Sequence, residues 1–401
     1  MTEAFDAIRS LEDNHLTHTY QRYPIAIVRG EGSRLWDVNG KEYIDYMGGY
    51  GVAILGHSNQ KIKEAIKRQI DKLSILHGSL YNDTRALFIK KLVSVSPQGL
   101  NMAYLSNSGA ESIEAALKVV VKFTKRKRII AMKGSYHGKT LGALSLTFSE
   151  KYRSSFDDLV FKGVDFTEFG NLDDIVKDRK LDEYAAIFVE PVQGEGGIKI
   201  PPEGFLQGIR EICDKNGILL VVDEVQSGLC RTGKMWAHQH WNIVPDVMTI
   251  GKGIGGGIPM GITIGKEEYM KSLELGEHSS TTGGNPIACA AGQAVLDSLV
   301  DEKIAEKAAT SGERLMNGLK EDLVGSRVAR EVRGKGLMIA VDIRVKVQEI
   351  LWKAIELGLI ALYSGKTTLR LLPPLIINDE EITKGNAMLT ESLKWYEKTH
   401  T

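Results

Sequence analysis

Between residues 101 and 265, short apolar runs rich in β-formers alternate with stretches of helical period, and this alternation narrows the fold more than any other feature. The runs are NMAYLS (101–106), RIIAM (128–132), AAIFVE (185–190), GILLVVDE (217–224), DVMTIG (246–251) and MGITIG (260–265). Helical patterns separate several of them, notably ESIEAALKVVVKF (111–123) and GFLQGIREICDKNG (204–217). In the second, Phe205, Leu206, Ile209 and Ile212 fall on one face, and Gly217 offers a C-cap. Strands that are apolar along most of their length need cover on both faces, so an α/β fold with a parallel or mixed sheet between helices is expected. The two ends differ. EGSRLWDVNGKEYIDY (31–46) reads as a hairpin turning at Asn39-Gly40, and from about residue 290 long helices alternate with short strands. The economical assembly is a large domain over 51–289 and a smaller one built from 1–50 and 290–401.

With 401 residues, the chain can bury a large core. Lys+Arg and Asp+Glu each number 51, so the zero net charge gives no reason to expect a nucleic-acid or membrane partner. Cys213, Cys230 and Cys289 form no CxxC pair, which argues against a zinc site or disulfide framework. The first residues, MTEAFDAIRSLEDNH, lack an apolar stretch of signal-peptide type, and runs such as ILLVV (218–222) are too short to span a bilayer. A cytoplasmic location is the expectation.

Four segments carry chemistry. DVMTIGKGIGGGIPMG (246–261) ends a strand at Lys252 and follows it with glycines. A lysine there can form a Schiff base, and crowded glycines let a planar ligand approach the backbone; a surface lysine beside a glycine-rich loop would look the same. GILLVVDEVQSG (217–228) delivers Asp223 and Glu224 at a strand's carboxyl end, where open α/β sheets bind ligands. A buried carboxylate needs a cation, and a protonated pyridine nitrogen is one; an acidic helix cap is the plainer account. Ser108, Gly109 and Ala110 precede a helix whose N-terminal N–H groups suit a phosphate, or the serine is an ordinary N-cap. In KGSYHGKT (133–140), Tyr136 can stack on a ring, His137 is adjacent and Lys139 can hold an anion.

GSYHGKT and ILLVVDE also resemble parts of a P-loop nucleotide hydrolase. That loop needs four residues before its Gly-Lys pair, whereas Gly134 and Gly138 enclose only Ser135, Tyr136 and His137. The shorter loop cannot wrap the phosphates, and this reading leaves 246–261 unexplained. A catalytically silent binding protein of the same fold would have no need of Lys252.

Together the motifs resemble the class III (ornithine/acetylornithine-type) aminotransferases of pyridoxal-phosphate fold type I. The resemblance runs through LWDVNGKEYIDY, Gly56-His57, NSGAESIEAALK, YHGKT, EPVQGEGG (190–197), VVDEVQSGLCRTG, the lysine segment, HSSTTGGNP (278–286) and TLRLLPP (368–374). It implies a large domain with a mostly parallel seven-stranded sheet, plus a smaller α+β domain from both chain ends. The implied cofactor is pyridoxal 5′-phosphate, with Lys252 as its Schiff-base lysine and proton shuttle and Asp223 on the pyridinium nitrogen. The resemblance further implies Gln226 on the phenolic oxygen, Val225 behind the ring, and Tyr136 on its other face beside His137. Ser108, Gly109 and Ala110 would bind the phosphate, completed by the HSSTT segment (Ser280, Thr281) of a partner subunit in a homodimer.

For substrates, the resemblance implies L-glutamate/2-oxoglutarate and an ω-amino compound sharing one pocket. Arg370 would clamp the glutamate α-carboxylate with its planar fork, and Glu195 would neutralise it when the other substrate enters. Tyr20 and Tyr50 would supply aromatic walls for a chain of ornithine or lysine length. Glu190 is expected to play a supporting role. Lys139 departs from many ornithine-type members, which hold an arginine there; lysine grips a carboxylate as a point charge only. ALSLTFSEKYRSSF (143–156), REVRGKGLM (330–338) and LRLLPPLII (369–377) resemble the lysine-biosynthesis branch of thermophiles and archaea, which also serves ornithine. Its substrate amine is masked by a small acidic carrier protein. Lys118, Lys122, Lys125, Arg126, Lys127 and Arg128 would offer such a carrier a basic rim, or form a solvated helix end. Free acetylornithine or ornithine is the alternative substrate. Class III also contains racemases and aminomutases, which need no 2-oxoglutarate clamp.

Overall fold

The structure, a computed structural model, describes residues 3–400. The chain opens with a helix, Glu3–His15, and three strands, β1 (Ile27–Glu31), β2 (Arg34–Asp37) and β3 (Glu42–Asp45). The β2–β3 hairpin turns at Asn39-Gly40 as expected, with Leu35 opposite Tyr43. Its reverse is pinned by Asp37, whose Oδ1 accepts from the N–H groups of Asn39 and Lys41, both at 2.9 Å.

Seven strands then build the central sheet: β4 (Met102–Ser106), β5 (Arg128–Met132), β6 (Val164–Thr167), β7 (Tyr184–Val189), β8 (Leu219–Asp223), β9 (Val247–Ile250) and β10 (Gly261–Gly265). Their spatial order is β4-β10-β9-β8-β7-β5-β6. All neighbouring pairs are parallel except those of β10, which runs antiparallel to both β4 and β9. β6 was not anticipated: VDFT offers two apolar residues in four, too short a pattern to stand out.

Every residue of β7 and β8 is buried, because side chains on alternate faces meet different layers. Ile187, Val189, Leu220 and Val222 pack with Phe205, Leu206, Ile209 and Cys213 of helix Phe205–Asn216. Phe188 and Val221 pack with Ile113, Ala116, Val119 and Val120 of helix Gly109–Thr124. Each fully buried Val, Leu, Ile or Phe among them contributes about 1.5–3 kcal/mol. Ile212, expected on the buried face of its helix, is only half-buried, and Cys213 takes the inner position.

The remaining strands are β11 (Ala329–Lys335), β12 (Met338–Ile343), β13 (Leu359–Ile360), β14 (Leu362–Ser364) and β15 (Thr368–Leu371). β11-β12-β15-β14 form an antiparallel sheet, whereas β13 pairs in parallel with β3 and so ties the two chain ends together. Helices Ile304–Asp322 and Val347–Leu357 pack against the last helix, Asp379–His400. Helix Pro286–Asp301 packs against Gln60–Lys72 and Asp83–Val95. No helix among the described residues is long and apolar enough to cross a membrane.

Candidate active site

The carboxyl ends of the parallel strands converge on a cavity of about 520 Å³. After β9, Gly251 leads into Lys252, which lines the cavity in a left-handed conformation (φ +49°). That conformation costs a non-glycine residue energy and is characteristic of residues held in place for function. Desolvation lowers the Lys252 ammonium pKa, and Arg370 adds to the lowering, while Asp223, Glu195 and Glu190 oppose it. The glycines around it serve the protein more than a ligand. A Cβ at Gly251 would lie 3.2 Å from both Gly109 Cα and Val225 Cγ1, and one at Gly253 would lie 2.7 Å from Ile54. Here the structure corrects the sequence reading: close helix and loop packing fills those spaces.

Asp223, at the end of β8, is 5% exposed. Its Oδ2 lies 2.7 Å from Nδ1 of the fully enclosed His137, and its Oδ1 accepts from Val225 N–H (2.9 Å) and Thr249 Oγ1 (3.2 Å). His137 is drawn upward in pKa by this carboxylate against its own burial. His137 Nε2 is buried without a protein partner.

Glu190 follows β7 and lines the same cavity. Its Oε1 accepts from Tyr136 N–H (2.8 Å) and its Oε2 from Gly194 N–H (3.0 Å). Burial holds its pKa at about 7, with Asp223 adding to the rise and His137 opposing it. It thus joins the Tyr136 loop to the loop bearing Glu195. Two further bonds anchor that second loop: Ser364 Oγ to Glu195 O, and Arg333 Nε to Ile198 O (3.1 Å).

The helix Gly109–Thr124 aims its N-terminus at the cavity, with Gly109 and Ala110 in the lining. Ser108 is its N-cap, accepting from Glu111 N–H at 3.2 Å. A Cβ on Gly109 would come 2.7 Å from Val225 Cγ1, so only glycine lets the helix end sit this close. Tyr136, Val225 and Gln226 complete the inner wall, and the Gln226 Oε1 is buried without a partner.

Arg370, on β15, is fully buried. Its Nη1 meets Glu195 Oε1 at 2.5 Å, while Nε and Nη2 have no partner. Tyr50, half-exposed, places its ring centroid 5.9 Å from the guanidinium. Lys139 is exposed and lines the cavity, its ammonium 4.6 Å from the Tyr152 ring centroid; Tyr152 in turn meets Tyr136 edge-on at 5.7 Å. Tyr152 was missed in the sequence because nothing in FSEKYRSS marks it. Tyr20 is largely exposed, yet close enough to raise the Tyr136 pKa slightly. Ser280 and Thr281 lie outside the cavity lining of their own chain. Ser280 Oγ accepts from Asn107 Nδ2 (2.9 Å), and Thr281 is exposed.

The basic run does not rim this cavity. It runs from the second half of helix Gly109–Thr124 to the start of β5, with Lys118 about 14 Å and Lys122 about 20 Å from the helix N-terminus by a rise of ~1.5 Å per residue. Much of it is already engaged: Lys122 with Glu274 and Glu277, Arg128 with Asp165 and Glu183, and Arg126 with three backbone carbonyls.

Residues 16–393 match the family model for aminotransferase class III. The chain belongs to the class III aminotransferases. It is 40% identical to an acetylornithine aminotransferase of Methanopyrus kandleri, over 96% of this chain and 98% of that one. It is 41% identical to a LysW-aminoadipate semialdehyde/glutamate semialdehyde transaminase of Sulfolobus acidocaldarius, over 94% and 97%. Among solved structures, an ornithine aminotransferase of Toxoplasma gondii, with pyridoxal phosphate at partial occupancy in its active site, superposes with a TM-score of 0.95. It is 30% identical, covering 98% of this chain and 95% of that one.

As a class III aminotransferase of fold type I, the enzyme uses pyridoxal phosphate. The residues present fit that group: a deep carboxylate, a helix N-terminus, and a lysine whose amine is shifted toward its neutral form share one cavity. Its volume lies within the roughly 300–1,000 Å³ usual for small-molecule sites.

Proposed function

We propose that this aminotransferase moves an ω-amino group between L-glutamate/2-oxoglutarate and an ω-amino/semialdehyde substrate in lysine and/or arginine biosynthesis. The observation that carries the reading is the Arg370–Glu195 pair beside Lys252. A fully buried guanidinium with two unpartnered nitrogens suits an incoming carboxylate, and a partly exposed Glu195 can neutralise it when an ω-amine takes that place.

The bound cofactor supplies an electron sink through its protonated pyridine ring. In the proposed roles, Asp223, fixed by His137 and Thr249, keeps that nitrogen protonated. Ser108, Gly109 and Ala110 hold the phosphate, Gln226 donates to the phenolic oxygen, and Tyr136 and Val225 hold the ring between them. Lys252, its pKa lowered by desolvation, takes and returns the proton at the substrate carbon. Tyr20 and Tyr50 form aromatic walls for the substrate chain, and Lys139 receives its distal end.

The substrate is read as carrier-bound, in line with the relatives named as LysW-dependent transaminases. The acetylornithine aminotransferases of similar identity favour the free amino acid as second reading. We place the protein in the cytoplasm as a homodimer. Supporting the dimer, five large apolar side chains between residues 70 and 87 are exposed (Ile70, Ile75, Leu80, Tyr81 and Leu87), Tyr81 wholly so. Ser280 and Thr281 would then reach the partner's phosphate site. The division into 1–50, 51–289 and 290–401 is likewise a proposal; the helix Pro286–Asp301 runs across the second boundary, packs on helices Gln60–Lys72 and Asp83–Val95, and is buried as far as Leu299.

The test is single-turnover kinetics with glutamate, acetylornithine, ornithine and the carrier-linked amines, read at the cofactor. In Arg370→Ala the glutamate half-reaction should fall roughly 100-fold, the equivalent of about 2–3 kcal/mol for a lost charge-assisted pairing. The ω-amine half-reaction should change little. Indifference of the glutamate step would point instead to a racemase or aminomutase.

A further inference from the structure

Gly48, Gly49, Tyr50 and Gly51 are consecutive residues in the left-handed region, with φ of +55°, +58°, +61° and +80°. Glycine adopts it freely; Tyr50 does so only if its surroundings hold it there. The turn is pressed against the chain just past Arg370. A Cβ at Gly48 would lie 2.4 Å from Leu372 O, and Leu372 N–H donates to Tyr46 O at 2.8 Å.

What holds the turn is Asp45. It is fully buried, and its Oδ1 accepts from Met47 N–H (2.8 Å) and Gly48 N–H (2.9 Å). Its Oδ2 lies 2.6 Å from His57 Nε2. His57 is itself fixed by a two-way backbone pairing with Gly32, at 3.1 and 2.8 Å. Arg231, also buried, donates to Leu337 O (3.0 Å) and Pro373 O (2.6 Å), thereby gripping the same chain beyond Arg370. Burial pushes the Arg231 pKa down to about 9, and the Asp45 charge pulls the other way. The Asp45 carboxylate therefore holds the turn bearing Tyr50, while Arg231 grips the segment after β15.

We propose that Asp45, clasped by His57, is a positioning residue that fixes Tyr50 over Arg370 and thereby sets the geometry of the dicarboxylate subsite. The proposal rests on the reading of Arg370 as that subsite. Its test is half-reaction kinetics on the holoenzyme. Asp45→Ala should raise the glutamate concentration for half-maximal rate about tenfold, with a distinctly smaller rise, about threefold, for the ω-amine, whose chain meets the Tyr50 ring but does not depend on Arg370. Asp45→Asn keeps an oxygen for the two backbone N–H groups and should rescue most of the loss. His57→Ala should shift glutamate in the same direction, and it serves if Asp45→Ala does not fold. The decisive comparison adds Asp45→Ala to Tyr50→Ala: the double variant should match Tyr50→Ala alone, because both remove one interaction. Equal losses in the two half-reactions, or additive effects in the double variant, would overturn the clasp. Unaltered glutamate kinetics in Arg370→Ala would overturn the subsite reading and the clasp with it. A selective Arg370→Ala loss beside an unselective Asp45→Ala and His57→Ala loss would overturn the clasp alone.

Discussion

Single side chains here owe their chemistry to where strands end. Lys252 is the plainest case: desolvation lowers its pKa and the left-handed backbone aims it into the cavity. Lys252→Ala should abolish transamination and remove the visible absorption that depends on the lysine–cofactor bond, leaving the fold intact by circular dichroism. Glu190 gives a pH signature. Its carboxyl rises from 4.5 unfolded to about 7 folded, so the native state holds the proton more tightly. The stability this brings is full below about 4.5 and is lost as pH rises through about 7. The melting temperature of the wild type relative to Glu190→Gln should therefore fall across that window and level off above it. A flat difference would show that Glu190 stays ionised in the fold. Lys252 and Asp223 could be read in the sequence because each ends an apolar strand. Glu190 also ends one, yet its bonds to Tyr136 and Gly194 come from loops whose paths no local pattern encodes.

At the scale of elements, the approach of helix Gly109–Thr124 to Val225 sets how near the helix N-terminus comes to the cavity. Gly109→Ala puts a methyl 2.7 Å from Val225 Cγ1, so either the helix end or Val225 must move. Affinity for pyridoxal phosphate should weaken by roughly tenfold, about 1.4 kcal/mol, with thermal stability of the cofactor-free protein little changed. Spectroscopic titration measures the first and calorimetry the second; unchanged affinity would separate this helix end from phosphate binding. Six of the seven central strands were legible because their runs are apolar on both faces. β6 was not, being a four-residue edge strand with one buried position. The hairpin at Asn39-Gly40 was legible because its turn chemistry is local.

At the scale of the molecule, the exposed stretch around Tyr81 tests the assembly. Introducing charge there, as Ile75→Glu with Tyr81→Arg, should shift sedimentation toward a monomer and lower activity in parallel, with dilution lowering activity further. A variant that stays dimeric and active would move the interface elsewhere. The sequence alone determined the layered α/β fold, the family, and the residues at strand ends, because strand period, turn dipeptides and motif order act over short distances. Only the tertiary structure decided that glycines beside Lys252 pack against protein, and that the basic run lies outside the cavity lining. It alone brought Asp45 and His57 to the Tyr50 turn and Arg231 to the chain beyond Arg370. Those relations join residues up to hundreds of positions apart, and their energy arises only when packing excludes water and brings distant carboxylates, guanidinium groups and backbone N–H groups within hydrogen-bonding reach.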